Sequence, residues 1–121
     1  MSRALTGALS FHAGLAAEGA VAAHYRRLGL DIVAQRWRGQ GGEIDLIARD
    51  GAQLVFIEVK KSRDFARAAI RISQRQIARL FDAASEYMSC QPLGLATPVR
   101  FDVALVDGRG MIEVVKNALG P

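Results

Sequence analysis

The chain predicts an α/β domain of mixed α+β character, with helices packed on one central sheet in the order α-β-β-β-α-β-β. Three observations carry that prediction. Two stretches repeat their apolar residues with helical period, five short runs are rich in Val, Ile, Leu and Phe, and glycines or Asp-Gly pairs punctuate the gaps. At 121 residues there is room for one domain, 1–121, burying roughly two-thirds of its unfolded surface around one core. No repeat, low-complexity tract or linker divides it.

Ser10 to Leu28 reads as the first helix, ended by Gly29, with Ser10 in the N-cap place and residues 1–9 expected to be a flexible tail. At 100° per residue, Phe11, Gly14, Leu15, Ala17, Val21, Ala22, Tyr25 and Leu28 share one broad face. Leu30 to Trp37 is the first strand, and Gly39, Gly41 and Gly42 form a turn. Glu43 to Arg49 is the second strand, Asp50-Gly51 a hairpin signal, and Gln53 to Lys60 the third strand. Residues 62–71 show no clear period and read as a loop. The second helix is expected from Ser73 to about Met88, with Ile77, Leu80, Phe81, Ala84, Tyr87 and Met88 as its buried stripe. Pro92, Gly94 and Pro98 mark a return loop. Val99 to Val106 and Met111 to Val115 close the sheet across an Asp107-Gly108 turn.

Composition narrows the function classes. Cys90 is the sole cysteine, which excludes an internal disulfide and a Cys-based zinc site. His12 and Glu18 interrupt the alanine-rich N-terminal stretch, and nothing approaches 18 unbroken apolar residues. The expectation is a cytoplasmic protein with no membrane segment. The net charge of +4 is unevenly spread. Lys60, Lys61, Arg63, Arg67, Arg71, Arg75 and Arg79 stand against Asp64 alone, a local charge of +6, so the rest of the chain sums to −2. Such a cluster is either a solvated basic face or a polyanion contact, since neutralising phosphates releases counterions.

The chemistry-bearing residues adjoin that cluster. Side chains alternate along a strand, so Glu43, Asp45 and Ile47 share one face of the second strand, and Leu54, Phe56, Glu58 and Lys60 one face of the third. If the hairpin puts those faces together, two carboxylates and an ammonium converge on an apolar strand end. Ionised groups there are costly unless they are paired or hold a cation. Two readings follow: a Mg²⁺ or Mn²⁺ site acting on phosphodiesters, or an ion pair that pins the hairpin register. Glu18 lies at the centre of the first helix's apolar face, where it either enters a polar site or forms a buried pair, for instance with Lys60. Gln76 reaches a sheet-side site or completes a Ser73-x-x-Gln76 capping box, and the cap is favoured. Asp102 either bonds a neighbouring arginine or backs the site, and the structural role is preferred. Trp37, between Arg36 and Arg38, packs an edge strand or stacks a base. His12 and His24 do not share one narrow face. The Gly39-x-Gly41-Gly42 run precedes a strand and is therefore no dinucleotide fingerprint.

The run Gly42-Glu43-Ile44-Asp45-Leu46-Ile47-Ala48 followed by Val55-Phe56-Ile57-Glu58-Val59-Lys60 resembles the YraN-like family of uncharacterised bacterial proteins. Ala17-Glu18, Arg100-Phe101-Asp102-Val103 and Asn117-Ala118 extend the resemblance from Gly14 to Ala118. That family in turn resembles the PD-(D/E)XK nuclease superfamily, including archaeal Holliday-junction resolvases, which implies a restriction-endonuclease-like core with a mixed sheet between helices. The resemblance implies Asp45, Glu58 and the Val59 carbonyl as metal ligands, Lys60 as the catalytic lysine and Glu18 as the helix-borne acid. Ile44 stands where the superfamily often has proline, Ser62 where the family usually has arginine, Ala66 where it has glycine, and Gln76 where the second helix has lysine. These departures touch substrate contacts rather than the ligand set.

The expected function is a Mg²⁺- or Mn²⁺-dependent nuclease acting on DNA, branched or single-stranded. Lys61, Arg63, Arg67, Arg71 and Arg75 would hold nucleic acid, with Glu43 and Gln76 as accessory residues. The alternative is a non-catalytic nucleic-acid-binding module with a degenerate nuclease fold. A third reading is an interaction domain whose charges form only an ion-pair network. Resolvase action would require a homodimer, and no dimer face is legible in the sequence.

Overall fold

The computed structural model describes residues 3–61 and 74–118, with side chains described from residue 15. Its elements are α1 (Arg3–Arg27), β1 (Asp31–Arg38), β2 (Glu43–Asp50), β3 (Gln53–Lys61), α2 (Gln74–Ser89), a 3-10 turn (Gly94–Ala96), β4 (Val99–Val106) and β5 (Ile112–Val115). The expected order α-β-β-β-α-β-β is therefore the observed one, and each strand lies within a residue or two of its expected bounds. Arg63, Arg67, Arg71, the expected loop 62–71 and Ser73 lie outside the described residues.

The five strands run in spatial order β1-β2-β3-β4-β5. Three pairings are antiparallel; β3 and β4 are parallel, from Leu54↔Val99 to Lys61↔Val106. A parallel pair needs a crossover, and α2 lies within it. The apolar pattern of β3 explains the layering. Val55 and Ile57 pack with Val21, Ala22 and Tyr25 of α1, while Leu54 and Phe56 pack with Leu80, Ala83, Ala84 and Met88 of α2. A strand covered on both faces reads as a continuous apolar run, as Leu54 to Ile57 does. The mixed sheet between two helices agrees with a restriction-endonuclease-like core.

Three expectations are corrected. The first helix begins at Arg3, so Ser10 is not its N-cap. Ala4, Leu5, Ala8 and Leu9 favour helix strongly enough to outweigh Gly7. Leu28 falls beyond the last turn and is 58% exposed, because Gly29 takes a positive φ of 92° and turns the chain into β1. Phe81 is exposed rather than buried in the α2 stripe, although its ring meets Phe101 edge-on at 4.7 Å.

Candidate metal and phosphodiester site

The site arises where β2 and β3 part. Their ladder runs from Asp50↔Gln53 to Leu46↔Ile57 and stops, while β3 keeps pairing with β4 as far as Lys61. The next position on β2 is Asp45, and its Oδ2 accepts the Val59 N–H at 2.8 Å. A side chain thus replaces the backbone ladder and wedges the hairpin open at its acidic end. Ile44 joins Ile47 in the cluster under α2, which strict alternation would forbid, and this records the same departure from regular pairing.

The hairpin brings Asp45 and Glu58 together at this fork, and a hydrogen bond joins their carboxyl groups. The Lys60 ammonium lies 3.4 Å from Glu58 Oε1, with the two side chains only 17% and 20% exposed. Burial pushes the Glu58 carboxyl up to about 7, and the Asp45 charge pushes the same way, while Lys60 opposes both. Burial also raises Asp45, against the Val59 N–H and the Glu58 hydrogen bond, which favour its charged form. The two acids titrate as a pair. One nearby ammonium does not balance two desolvated carboxylates, so both carboxyl groups hold a proton to higher pH than a solvated acid does.

Glu18 approaches from α1. Its side chain is 13% exposed, and its pKa is raised by burial and then by Asp45. Its ion-pair partner is not Lys60 but Arg36, whose Nη1 lies 3.7 Å from Glu18 Oε2. Arg36 also reaches Glu43 at 3.6 Å, and Arg38 meets the same carboxylate at 3.1 Å. The part of Arg36 was not legible from alternation, because its φ of +50° takes it out of extended backbone. Such a conformation in a non-glycine residue costs energy and clusters at functional sites.

On the other side the first turns of α2 close a cavity of about 240 Å³ whose walls include Glu43, Asp45, Glu58, Gln76 and Arg79. Gln76 therefore reaches the sheet-side site; the capping box lies outside what can be described, since it needs Ser73. Lys61 and Arg75 are exposed at the end of β3 and the start of α2.

Glu86 escaped sequence reading. Its carboxylate accepts the N–H groups of Gln40 at 2.9 Å and Gly41 at 2.6 Å, tying the β1–β2 turn to α2. The glycines there permit close approach: a Cβ on Gly41 would lie 2.9 Å from Asp82 Cβ, and one on Gly42 3.2 Å from the Arg79 carbonyl oxygen. Three glycines in four residues were the available signal, and nothing marked Glu86 as their partner.

Asp102 has the preferred structural role. It is fully buried and accepts from the Tyr25 hydroxyl at 2.8 Å, Arg100 Nε at 3.1 Å and the Asn117 N–H at 3.0 Å. Trp37 packs edge-on against Tyr87 with centroids 5.4 Å apart, as the packing alternative has it.

The donor set can be tested against a cation. Among the described residues no group of three or more His, Cys, Asp or Glu forms a metal-binding cluster. Two carboxylates with room for water suit Mg²⁺ or Mn²⁺, which use few protein ligands and keep several waters.

Comparison with known proteins gives a consistent relationship. A family model described as "Uncharacterised protein family UPF0102" matches residues 17–106. A UPF0102 protein of Cereibacter sphaeroides is 56% identical over 114 residues, covering 94% of this chain and 97% of its own. One from Ruegeria pomeroyi is 57% identical over 108 residues, covering 89% and 88%. One from Roseobacter denitrificans is 49% identical over 118 residues, covering 98% and 92%. No helix among the described residues is long and apolar enough to cross a membrane.

Proposed function

The chain belongs to the uncharacterised family UPF0102, and from its site we propose that it is a divalent-metal-dependent nuclease that hydrolyses phosphodiester bonds in DNA, including branched or single-stranded DNA. The observation that carries this reading is the Asp45–Glu58 pair at the open strand fork: two desolvated carboxylates sharing a hydrogen bond, with one ammonium 3.4 Å from Glu58. Retaining such a pair costs stability unless a cation compensates it.

Asp45, Glu58 and the Val59 carbonyl would hold Mg²⁺ or Mn²⁺. The ion would supply Lewis acidity at the phosphate and a water of lowered pKa. Lys60, whose ammonium lies 3.4 Å from Glu58, would orient the attacking water or offset charge gathering on the phosphate. Glu18, held by Arg36, borders the site from α1. Lys61 and Arg75, with Arg63, Arg67 and Arg71, would neutralise backbone phosphates and make affinity fall with salt.

The test is a cleavage screen over linear, single-stranded, flapped and four-way DNA with Mg²⁺ and with Mn²⁺. Asp45→Ala and Lys60→Ala are expected to lower cleavage by at least about 100-fold, the scale of losing one transition-state contact, while DNA affinity survives. Cleavage by both variants at the parental rate sinks the assignment. Salt-sensitive binding without cleavage of any substrate would instead identify a non-catalytic binding module.

A further inference from the structure

A second cavity of about 370 Å³ adjoins the first, bounded by Arg38, the Gly39–Gly42 turn, Glu43 and Arg79. Gly42, Glu43 and Arg79 border both cavities, so the two adjoin and together line a groove beside Asp45 and Glu58. The acids along this groove are largely committed. Glu43 is bracketed by Arg36 and Arg38, and the Glu86 carboxylate faces the turn's own N–H groups. Arg79 is not. It is exposed at the junction, and among the described residues no hydrogen bond or ion pair engages it. Its placement is built into the fold, since a Cβ on Gly42 would lie 3.2 Å from the Arg79 carbonyl oxygen, and a side chain there would press on α2. Arg38, 78% exposed, spends only part of its five-donor guanidinium on Glu43.

We infer that this groove is the track of a polynucleotide strand, with Arg79 binding the phosphate adjacent to the one at the Asp45–Glu58 fork and Arg38 the phosphate beyond it. The inference rests on the nuclease reading and adds a direction to it: the strand leaves the fork across the glycine turn. A planar guanidinium bonds phosphate through two parallel N–H groups, which fixes the strand's register as well as its affinity. Arg79 is then a substrate-binding residue, not a metal ligand, and its loss falls on KM more than on kcat.

The experiment is titration of a labelled single-stranded oligodeoxynucleotide, followed by fluorescence anisotropy, in Ca²⁺ as a cation expected not to support cleavage. Mn²⁺ affinity of each variant is measured alongside. Arg79→Ala should weaken oligonucleotide binding about tenfold or more, as for a lost charge-assisted hydrogen bond, and lower the salt slope by about one. Arg79→Lys should restore the slope without restoring the full affinity. Arg38→Ala should cost about threefold, in keeping with its exposure and shared charge. None should weaken Mn²⁺ binding. Arg79→Ala with parental affinity and slope overturns the inference, and so does an equal loss of Mn²⁺ affinity, which would make Arg79 structural. A parent that binds no oligonucleotide and cleaves nothing overturns the nuclease reading itself.

Discussion

Two of the carboxylate centres among the described residues of this sheet are built oppositely. Asp102 on β4 is fully enclosed, and its oxygens accept from Tyr25, Arg100 and the Asn117 N–H. Asp45 and Glu58, on β2 and β3, are partly open, face one another and share one ammonium. A buried carboxylate saturated with donors is finished: it joins α1, β4 and the C-terminal turn, and has no capacity left for a ligand. A carboxylate pair with too few donors is unfinished, and what completes it is a proton or a cation. Saturation, more than burial or charge, separates the structural acid from the candidate catalytic ones.

The largest test of that distinction is removal of the hub. Asp102→Ala leaves the Arg100 guanidinium, the Tyr25 hydroxyl and the Asn117 N–H without their shared acceptor. Breaking a buried ionic centre in this way is expected to cost about 3–5 kcal/mol in urea unfolding. Arg100 also reaches Asp50 at 3.7 Å, an exposed contact that offsets little of the loss. A cost below about 1 kcal/mol would mean that donor saturation does not mark a structural acid here.

The opposite behaviour is expected at the fork when pH changes. Glu58 has an ordinary value of 4.5 and a native value of about 7, so between those limits the native state binds more protons than the unfolded chain. Its contribution is fully present below pH 4.5 and is lost as pH rises through 7. Thermal unfolding without divalent cations should show stability falling over this window, and Glu58→Gln should flatten the profile. Metal affinity should run the other way, rising towards a plateau above about pH 7, because the cation competes with the retained proton. An unchanged profile in Glu58→Gln would remove the unfinished pair from the comparison.

A smaller effect follows at fixed pH. Mn²⁺ at 100 times its Kd should stabilise the parent by about 2.7 kcal/mol, the mass-action value for one site, and should leave Asp45→Ala unmoved. Calorimetric unfolding with and without the ion measures both. Equal stabilisation of parent and variant would place the cation somewhere other than the fork.

How much of this was legible in the sequence follows from the same contrast. Period and punctuation located every described strand, and alternation put Glu58 and Lys60 on one face of β3 and Asp45 with Glu43 on one face of β2, because side-chain direction along a strand is a local property. What stayed hidden was tertiary. The Glu18 partner is Arg36 rather than Lys60 because a positive φ re-aims Arg36, and no local pattern encodes that. Glu86 reaches the turn from 45 residues away, and Tyr25 reaches Asp102 across 77. Tyr25 looked like one more apolar-face residue of α1, and Leu28 looked like its continuation. One proved to be a hydrogen-bond donor to the hub, the other an exposed residue past the helix end.

The smallest predicted effect isolates that hidden link. Burial, followed by the Asp102 charge, pushes the Tyr25 hydroxyl well above its ordinary value of 10.0, so it stays protonated and donating throughout the stable range of the protein. Tyr25→Phe removes the donor and little else, since the ring remains packed and Asp102 keeps Arg100 and the Asn117 N–H. The expected cost is about 1.5 kcal/mol, the lower end for a hydrogen bond to a charged group. Because neither state of Tyr25 changes protonation below pH 9, the cost should be the same at pH 5 and pH 8. Glu58→Gln should differ between those two conditions. A Tyr25→Phe penalty that varies across that interval as strongly as the Glu58→Gln effect would show the two carboxylate centres to be one coupled network rather than a finished hub beside an open site.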